Sequence, residues 1–257
     1  MEIIFLGTGA VMGVPIWNCK CNVCISKNPK DKRFRSSVLV KIDNKNIIID
    51  FGQDFRTQLL NNNIEKIDYA FLTHQHRDHM GGIEQLAVAK NVVFEAPVDV
   101  LEKYYLSEGS SKNWLTNKNK TIKIRPFAKK TIENITIDTV KLEHKKNYTD
   151  EETPCYGYIF ESQSLKVAYI SDYNKILEPN KLKNCDIIIS DGNGMCDVGN
   201  GHVGIDGSIE IYKQLKPKKM ILTHLKHNMS HNDMIKYVKE HGNIDIAFDG
   251  MKIKIWL

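Results

Sequence analysis

The chain has 257 residues, of which 42% are hydrophobic and 26% charged, enough to bury a core without staples and too apolar for disorder. Its net charge of +5 comes from lysines scattered beside Asn, Glu and Asp, a pattern of solvated surface that argues against a nucleic-acid groove. No apolar run approaches the roughly 18 residues of a membrane span, so the expected location is cytoplasmic, where the six cysteines read as metal ligands or reduced thiols before disulfides.

The opening residues lack a basic stretch and reach glycine at once, so Ile3–Leu6 reads as a first strand and not as a signal peptide. The tight turn Gly7-Thr8-Gly9 follows, and then N-C-K-C-N-V-C, Asn18 to Cys24, with three cysteines in six residues. A closed zinc site takes four protein ligands, so this cluster is one short. Arg33 and Arg35 offer bidentate hydrogen bonds to a phosphate, although charged residues leading into a strand usually face solvent. Strands are expected at Ser37–Ile42 and Ile47–Asp50, joined as a hairpin by Ile42-Asp43-Asn44-Lys45. Another, Tyr69–Thr73, runs into T-H-Q-H-R-D-H, Thr73 to His79. Three imidazoles and a carboxylate just past a strand end can be aimed at one point, an arrangement costly for a core and suited to a metal.

Helical periodicity over Ile83–Lys90 and Val98–Leu106 brackets a strand at Val92–Glu95. The polar stretch 107–123, with its lone Trp114, reads as a surface excursion and candidate lid. Strands follow at Ile135–Leu142, Tyr156–Glu161, Val167–Ser171, Asp186–Ser190, Met220–Thr223, Ile244–Phe248 and Met251–Trp256, with helices over Ile205–Leu215 and Asn232–His241. Phe248-Asp249-Gly250-Met251 has the chemistry of a second hairpin turn. Cys155 and Cys185 read as inert buried thiols, and Cys196 falls in a glycine-rich loop. With neither repeat nor linker, residues 1–257 are expected to form one domain of two mixed sheets flanked by helices.

The pattern His74-x-His76-x-Asp78-His79 resembles the signature of the metallo-β-lactamase fold hydrolases, and later motifs arrive in that family's order: His144 in K-L-E-H, Asp172 in A-Y-I-S-D, His224 in I-L-T-H. The resemblance implies an αββα sandwich, class α+β, with two divalent ions, zinc or manganese, at its open edge. It puts His74, His76 and His144 on one ion, Asp78, His79 and His224 on the other, and Asp172 between them. Asp50, ending I-I-I-D-F-G, resembles the aspartate that steadies the histidine turn from behind. Two such ions can generate a nucleophile from water at neutral pH, which implies a hydrolase.

Three residues past His224 comes His227, an offset that lets one histidine face the ion pair while the other points back toward the cysteines. Cys19, Cys21, Cys24 and His227 would then form a Cys3His structural zinc site in a loop at residues 18–27. His231 or a water is the competing fourth ligand. The combination of G-T-G, N-C-x-C-x-x-C, HxHxDH and T-H-x-x-H resembles the PhnP-like phosphoribosyl cyclic phosphodiesterases. That family opens 5-phosphoribosyl 1,2-cyclic phosphate to ribose 1,5-bisphosphate, which implies a phosphorylated sugar as substrate, phosphonate metabolism as setting and a homodimer as assembly. There His202, in G-N-G-H-V-G, would assist proton transfer, with Asp78 the other residue assigned to catalysis. Two other functions compete: a tRNA 3′-end endonuclease, for which a basic arm is hinted only by the lysines of 111–123, and a non-catalytic carrier like the PqqB proteins, whose opening motif is similar.

Overall fold

The computed structural model describes residues 1–107, 122–145, 151–195 and 201–255. Strands β1 (Glu2–Gly7), β2 (Ser37–Ile42), β3 (Lys45–Ile49), β4 (Tyr69–Phe71), β5 (Val92–Ala96) and β6 (Ile122–Pro126) build most of the first sheet. The second holds β7 (Lys130–Ile132), β8 (Ile135–Lys145), β9 (Glu152–Glu161), β10 (Lys166–Tyr169), β11 (Lys175–Ile176), β12 (Ile187–Asp191), β13 (Lys219–Thr223) and β14 (Ile244–Ile246). The last strand, β15 (Lys252–Lys254), returns to the first sheet, whose order is β15-β1-β2-β3-β4-β5-β6. The second sheet runs β11-β8-β9-β10-β12-β13-β14, with β7 beside β8. Among the described residues the helices are α1 (Phe55–Asn61), α2 (Arg77–Met80), α3 (Val98–Ser107), α4 (Gly204–Leu215) and α5 (His231–Lys239).

The strand sequences explain the layering. Along β2, Val38, Val40 and Ile42 point into the space between the sheets while Leu39 points to the helix side, and β3 repeats this with Ile47 and Ile49 against Ile48. Such strands are apolar on both faces because both faces are covered. Among the described residues three large cores result: one under α1 and α3 that includes Phe51, Phe55 and Phe94, one between the sheets around Phe5, Phe71 and Tyr158, and one under α4 and α5 around Met220 and Leu222, beside a small fourth cluster of Val14, Val23 and Cys24. The expected αββα sandwich is therefore the observed fold. Burial of Phe71 alone, with no exposed surface, contributes about 2–3 kcal/mol. Its ring stacks on Tyr158 at 5.1 Å, and the Tyr158 hydroxyl donates to the Leu72 carbonyl at 2.7 Å, so the end of β4 is fixed just before the histidine turn.

Several expectations need correction. β2 and β3 pair antiparallel as a hairpin, but Phe248–Met251 joins no hairpin. β14 pairs parallel with β13 in the second sheet and β15 antiparallel with β1 in the first, so this turn carries the chain across the sandwich. It is held by Asp249, which accepts from the Thr8 hydroxyl at 2.7 Å and the Phe34 amide at 2.6 Å. Residues 83–88 form a 3-10 helix instead of an α-helix. Short strands β6, β7 and β11 and helix α1 add to the elements expected from the sequence. Most of the polar stretch 107–123, including Trp114 and most of its lysines, and Cys196 lie outside the described residues. No helix among the described residues is long and apolar enough to cross a membrane.

Candidate metal centre

The site gathers at strand ends. Asp50 follows β3, the Thr73–His79 turn follows β4, His144 is the penultimate residue of β8, Asp172 follows β10, Asp191 ends β12 and His224 follows β13. His144 thus lies inside its strand, which runs past the expected end at Leu142. Asp50, Asp172 and His224 hold φ values of 62°, 55° and 56°. This left-handed conformation, which side-chain-bearing residues rarely adopt, turns the chain sharply at the strand end, setting Asp172 and His224 at the cleft and Asp50 behind the histidine turn. Gly52 serves packing: a Cβ there would come within 1.9 Å of the Asp78 carbonyl, so the histidine turn can lie on this backbone only where no side chain intervenes.

Two sets of donors converge. The nitrogens of His74, His76 and His144, one from each, lie within 4.8 Å of one another, as do ligand atoms of Asp78, His79, Asp172 and His224. Asp172 touches both sets, its Oδ2 standing 3.8 Å from His74 Nε2, 3.1 Å from His79 Nε2 and 3.3 Å from His224 Nε2. Hydrogen bonds behind the imidazoles fix their tautomers. The Thr73 hydroxyl donates to Asp50 at 3.0 Å and, its one proton spent, can only accept from His74 Nδ1 at 2.9 Å. His79 Nδ1 donates to Asp50 at 2.8 Å, and His144 Nδ1 donates to the Gly201 carbonyl at 2.8 Å. Each ring then presents an Nε2 lone pair to the cleft. His74 Nε2 and His79 Nε2 are buried without a hydrogen-bond partner, and His144 Nε2 faces His76 Nδ1 at 3.1 Å. Orphaned lone pairs facing one another are what a cation would satisfy, so the donor set fits two divalent ions.

Charge divides in the same way. Burial drives His74 well below the ordinary imidazole range and brings His76 and His144 down to about 4, favouring the neutral form in which an imidazole binds a metal. Burial also opposes charge on His79 and His224, but the carboxylate of Asp172 and its neighbours outweighs it, raising His79 well above its usual value and His224 to about 10, so these two rings would release a proton to expose an Nε2 lone pair when a cation enters. Asp78 and Asp172 are likewise penalised by burial, yet the facing imidazoles hold both carboxyls well below the carboxylate range. Burial pushes Asp50 upward against the pull of His79.

The cleft is lined by Val11, Asn193, Lys145 and Lys226 as well as by members of the two sets. His202 lines it too, its ring stacked on His224 with centroids 5.1 Å apart and its Nδ1 hydrogen-bonded to Asp191 at 2.8 Å. Asp191, fully buried, also approaches His224 Nδ1 at 3.5 Å, and the Asn193 amide lies 3.0 Å from that nitrogen. Sequence reasoning missed Asp191 and Thr73, although I-I-I-S-D repeats the strand-end chemistry of Y-I-S-D at Asp172.

A second cluster lies apart from the cleft. Cys19, Cys21 and Cys24 place their Sγ atoms 3.6, 3.3 and 3.4 Å from His227 Nδ1, with no disulfide formed. His231 does not join them: it opens α5, and its ring meets Arg33 at 3.3 Å. The Cys24 amide donates to Cys21, lowering that thiol to about 6, while burial pushes Cys24 up to about 11. Cys155 and Cys185 are buried and burial raises both thiols, in keeping with inert roles. Arg33, expected at the surface, is buried and donates to Thr8 and to the Ala247 carbonyl, both at 2.7 Å. Arg35 pairs with Asp54 at 3.0 Å.

Residues 45–225 match the family model of the beta-lactamase superfamily domain, a span that contains every residue of the two donor sets. The chain belongs to the beta-lactamase superfamily. The crystal structure of a diphosphatase from the PhnP family is similar over 100% of this chain and 98% of its own, with 29% identity and a TM-score of 0.83. Zinc-bound PqqB from Methylobacterium extorquens shares the fold, with a TM-score of 0.85 at 18% identity over 99% of this chain and 100% of that chain. An octanoyltransferase of Porphyromonas gingivalis is 28% identical over 98% of this chain, which spans only 51% of that relative's length.

Proposed function

We propose that this superfamily member is a metal-dependent phosphodiesterase that opens a cyclic sugar phosphate, with 5-phosphoribosyl 1,2-cyclic phosphate as the substrate the sequence resemblance implies. The observation that carries the reading is the complete convergent set His74, His76, His144, Asp78, His79, His224 and Asp172 beneath the His202–Asp191 pair. His74, His76 and His144 would hold one ion, Asp78, His79 and His224 the other, with Asp172 shared. Two bound divalent ions supply Lewis-acid polarisation of a phosphoryl oxygen and a nucleophile from water at neutral pH.

The chain supplies the rest. Asp191 accepts from His202 Nδ1 and so leaves Nε2 for the cleft. When water adds at phosphorus and gives up a proton to solvent, one P–O ester bond breaks, and His202 Nε2 is the atom placed to pass a proton to the departing alkoxide oxygen. Asp50 and Thr73 hold the ligand imidazoles in register. Cys19, Cys21, Cys24 and His227 suit a structural zinc that ties the first long loop to the turn bearing His224. The similarity to a PhnP-family diphosphatase supports a phosphoryl substrate.

The test is elemental analysis coupled to an assay on bis-p-nitrophenyl phosphate and on a five-membered ribose cyclic phosphate. About three metals per chain with preference for the cyclic sugar phosphate supports the reading. Metal binding at both clusters with no turnover of either ester refutes it and favours a carrier.

A further inference from the structure

The sequence offers Arg33 and Arg35 as readers of a terminal phosphate, and the structure commits both elsewhere, Arg33 to Thr8 and Ala247 and Arg35 to Asp54. Two lysines do line the cleft, Lys145 at the end of β8 and Lys226 just past β13. Leu225, the neighbour of Lys226, is fully buried and pinned from both sides, donating to the Thr8 carbonyl at 2.8 Å and accepting from the Ala10 amide at 3.1 Å. His224 on one side belongs to the buried donor set and His227 on the other to the cysteine cluster. Lys226 is therefore rooted between two anchored residues. Its stem runs beside Gly194, where a Cβ would lie 3.9 Å from Lys226 Cδ. The carboxylates among the cleft-lining residues, Asp78 and Asp172, face the imidazoles of His79 and His224 on its floor. Lys226 thus adds positive charge to a cleft whose acidic groups are already engaged.

We propose that Lys226 reads a second anionic group on the substrate, a phosphomonoester remote from the scissile phosphodiester, and so sets a preference for doubly charged sugar phosphates. This rests on the phosphodiesterase reading for its substrate, but the anion subsite can be measured without turnover. A lysine suits this role because a compact ammonium binds phosphate as a point charge.

The experiment compares the metal-loaded wild type with Lys226→Ala and Lys226→Arg, with zinc content confirmed for each. Calorimetry measures binding of ribose 5-phosphate against ribose, and kinetics compare a ribose cyclic phosphate with and without a 5-phosphate. Loss of one charged hydrogen bond predicts about tenfold weaker ribose 5-phosphate binding in Lys226→Ala. The kcat/KM ratio between the two esters should fall by a similar factor, with recovery in Lys226→Arg. Equal losses on both esters, or the same ribose 5-phosphate affinity in wild type and Lys226→Ala, would overturn the proposal. If the wild type cleaves neither ester yet binds ribose 5-phosphate through Lys226, the anion subsite stands and the phosphodiesterase reading fails.

Discussion

Replacing Thr73 by valine tests the tautomer relay directly. The change preserves shape and removes one hydroxyl from a pocket in which Thr73, His74 and Asp50 have no exposed surface. Asp50 keeps the Thr73 amide at 2.9 Å and His79 at 2.8 Å, so its carboxylate stays anchored. His74 Nδ1–H loses its acceptor, and an unpaired buried donor costs about 2 kcal/mol. For a chain of this size that corresponds to a fall in Tm of roughly 4–8 °C. The ring is also freed to move its proton to Nε2, the atom meant for a metal, so zinc affinity should drop about 10–100-fold. Thermal unfolding in chelator gives the first quantity and competition with a chromophoric chelator the second. A lowered Tm with unchanged zinc affinity would refute the relay, because the hydroxyl would then serve packing alone.

Two further outcomes follow from the same electrostatics and ligation. In the metal-free protein, burial depresses His74 and brings His76, His144 and His231 to about 4, so the unfolded chain takes up protons that the folded chain refuses as pH falls below about 6.5. His79 and His224 are raised, His224 to about 10, so their contribution is lost as pH climbs above about 6.5 toward 10. Denaturant midpoints at pH 4.5, 6.5 and 9 should peak at the middle value, and a flat or monotonic profile would contradict the assignments. Cys21→Ser should reduce zinc content by about one ion per chain and lower Tm; full stability with unchanged stoichiometry would remove the structural role from the cysteine cluster.

Much of the site was legible because its chemistry is local. Four candidate ligands within Thr73–His79, and three cysteines within Asn18–Cys24, announce themselves by spacing alone. The long apolar strands were legible because burial on both faces leaves an unbroken hydrophobic run. What escaped depends on distant partners. β6, β7 and β11 are short and rich in lysine and arginine, and they become strands only because a neighbouring strand offers its edge. Phe248–Met251 has hairpin chemistry, but the choice between returning to one sheet and crossing to the other is made by Asp249 reaching Thr8 and Phe34, more than 200 residues away. Arg33 reads as a surface charge until the Ala247 carbonyl and Thr8 are seen to receive it.

The left-handed backbone at Asp50, Asp172 and His224 has a bearing on engineering. Each such residue costs about 1–3 kcal/mol that glycine would largely avoid. Glycine there would relieve that strain but remove the donor-set side chains Asp172 and His224, and at Asp50 it would orphan the Thr73 and His79 donors as well. Thermostable variants should be sought with these three codons frozen and diversity directed to exposed apolar sites such as Leu60 and Val88, where nothing in the chemistry is at stake.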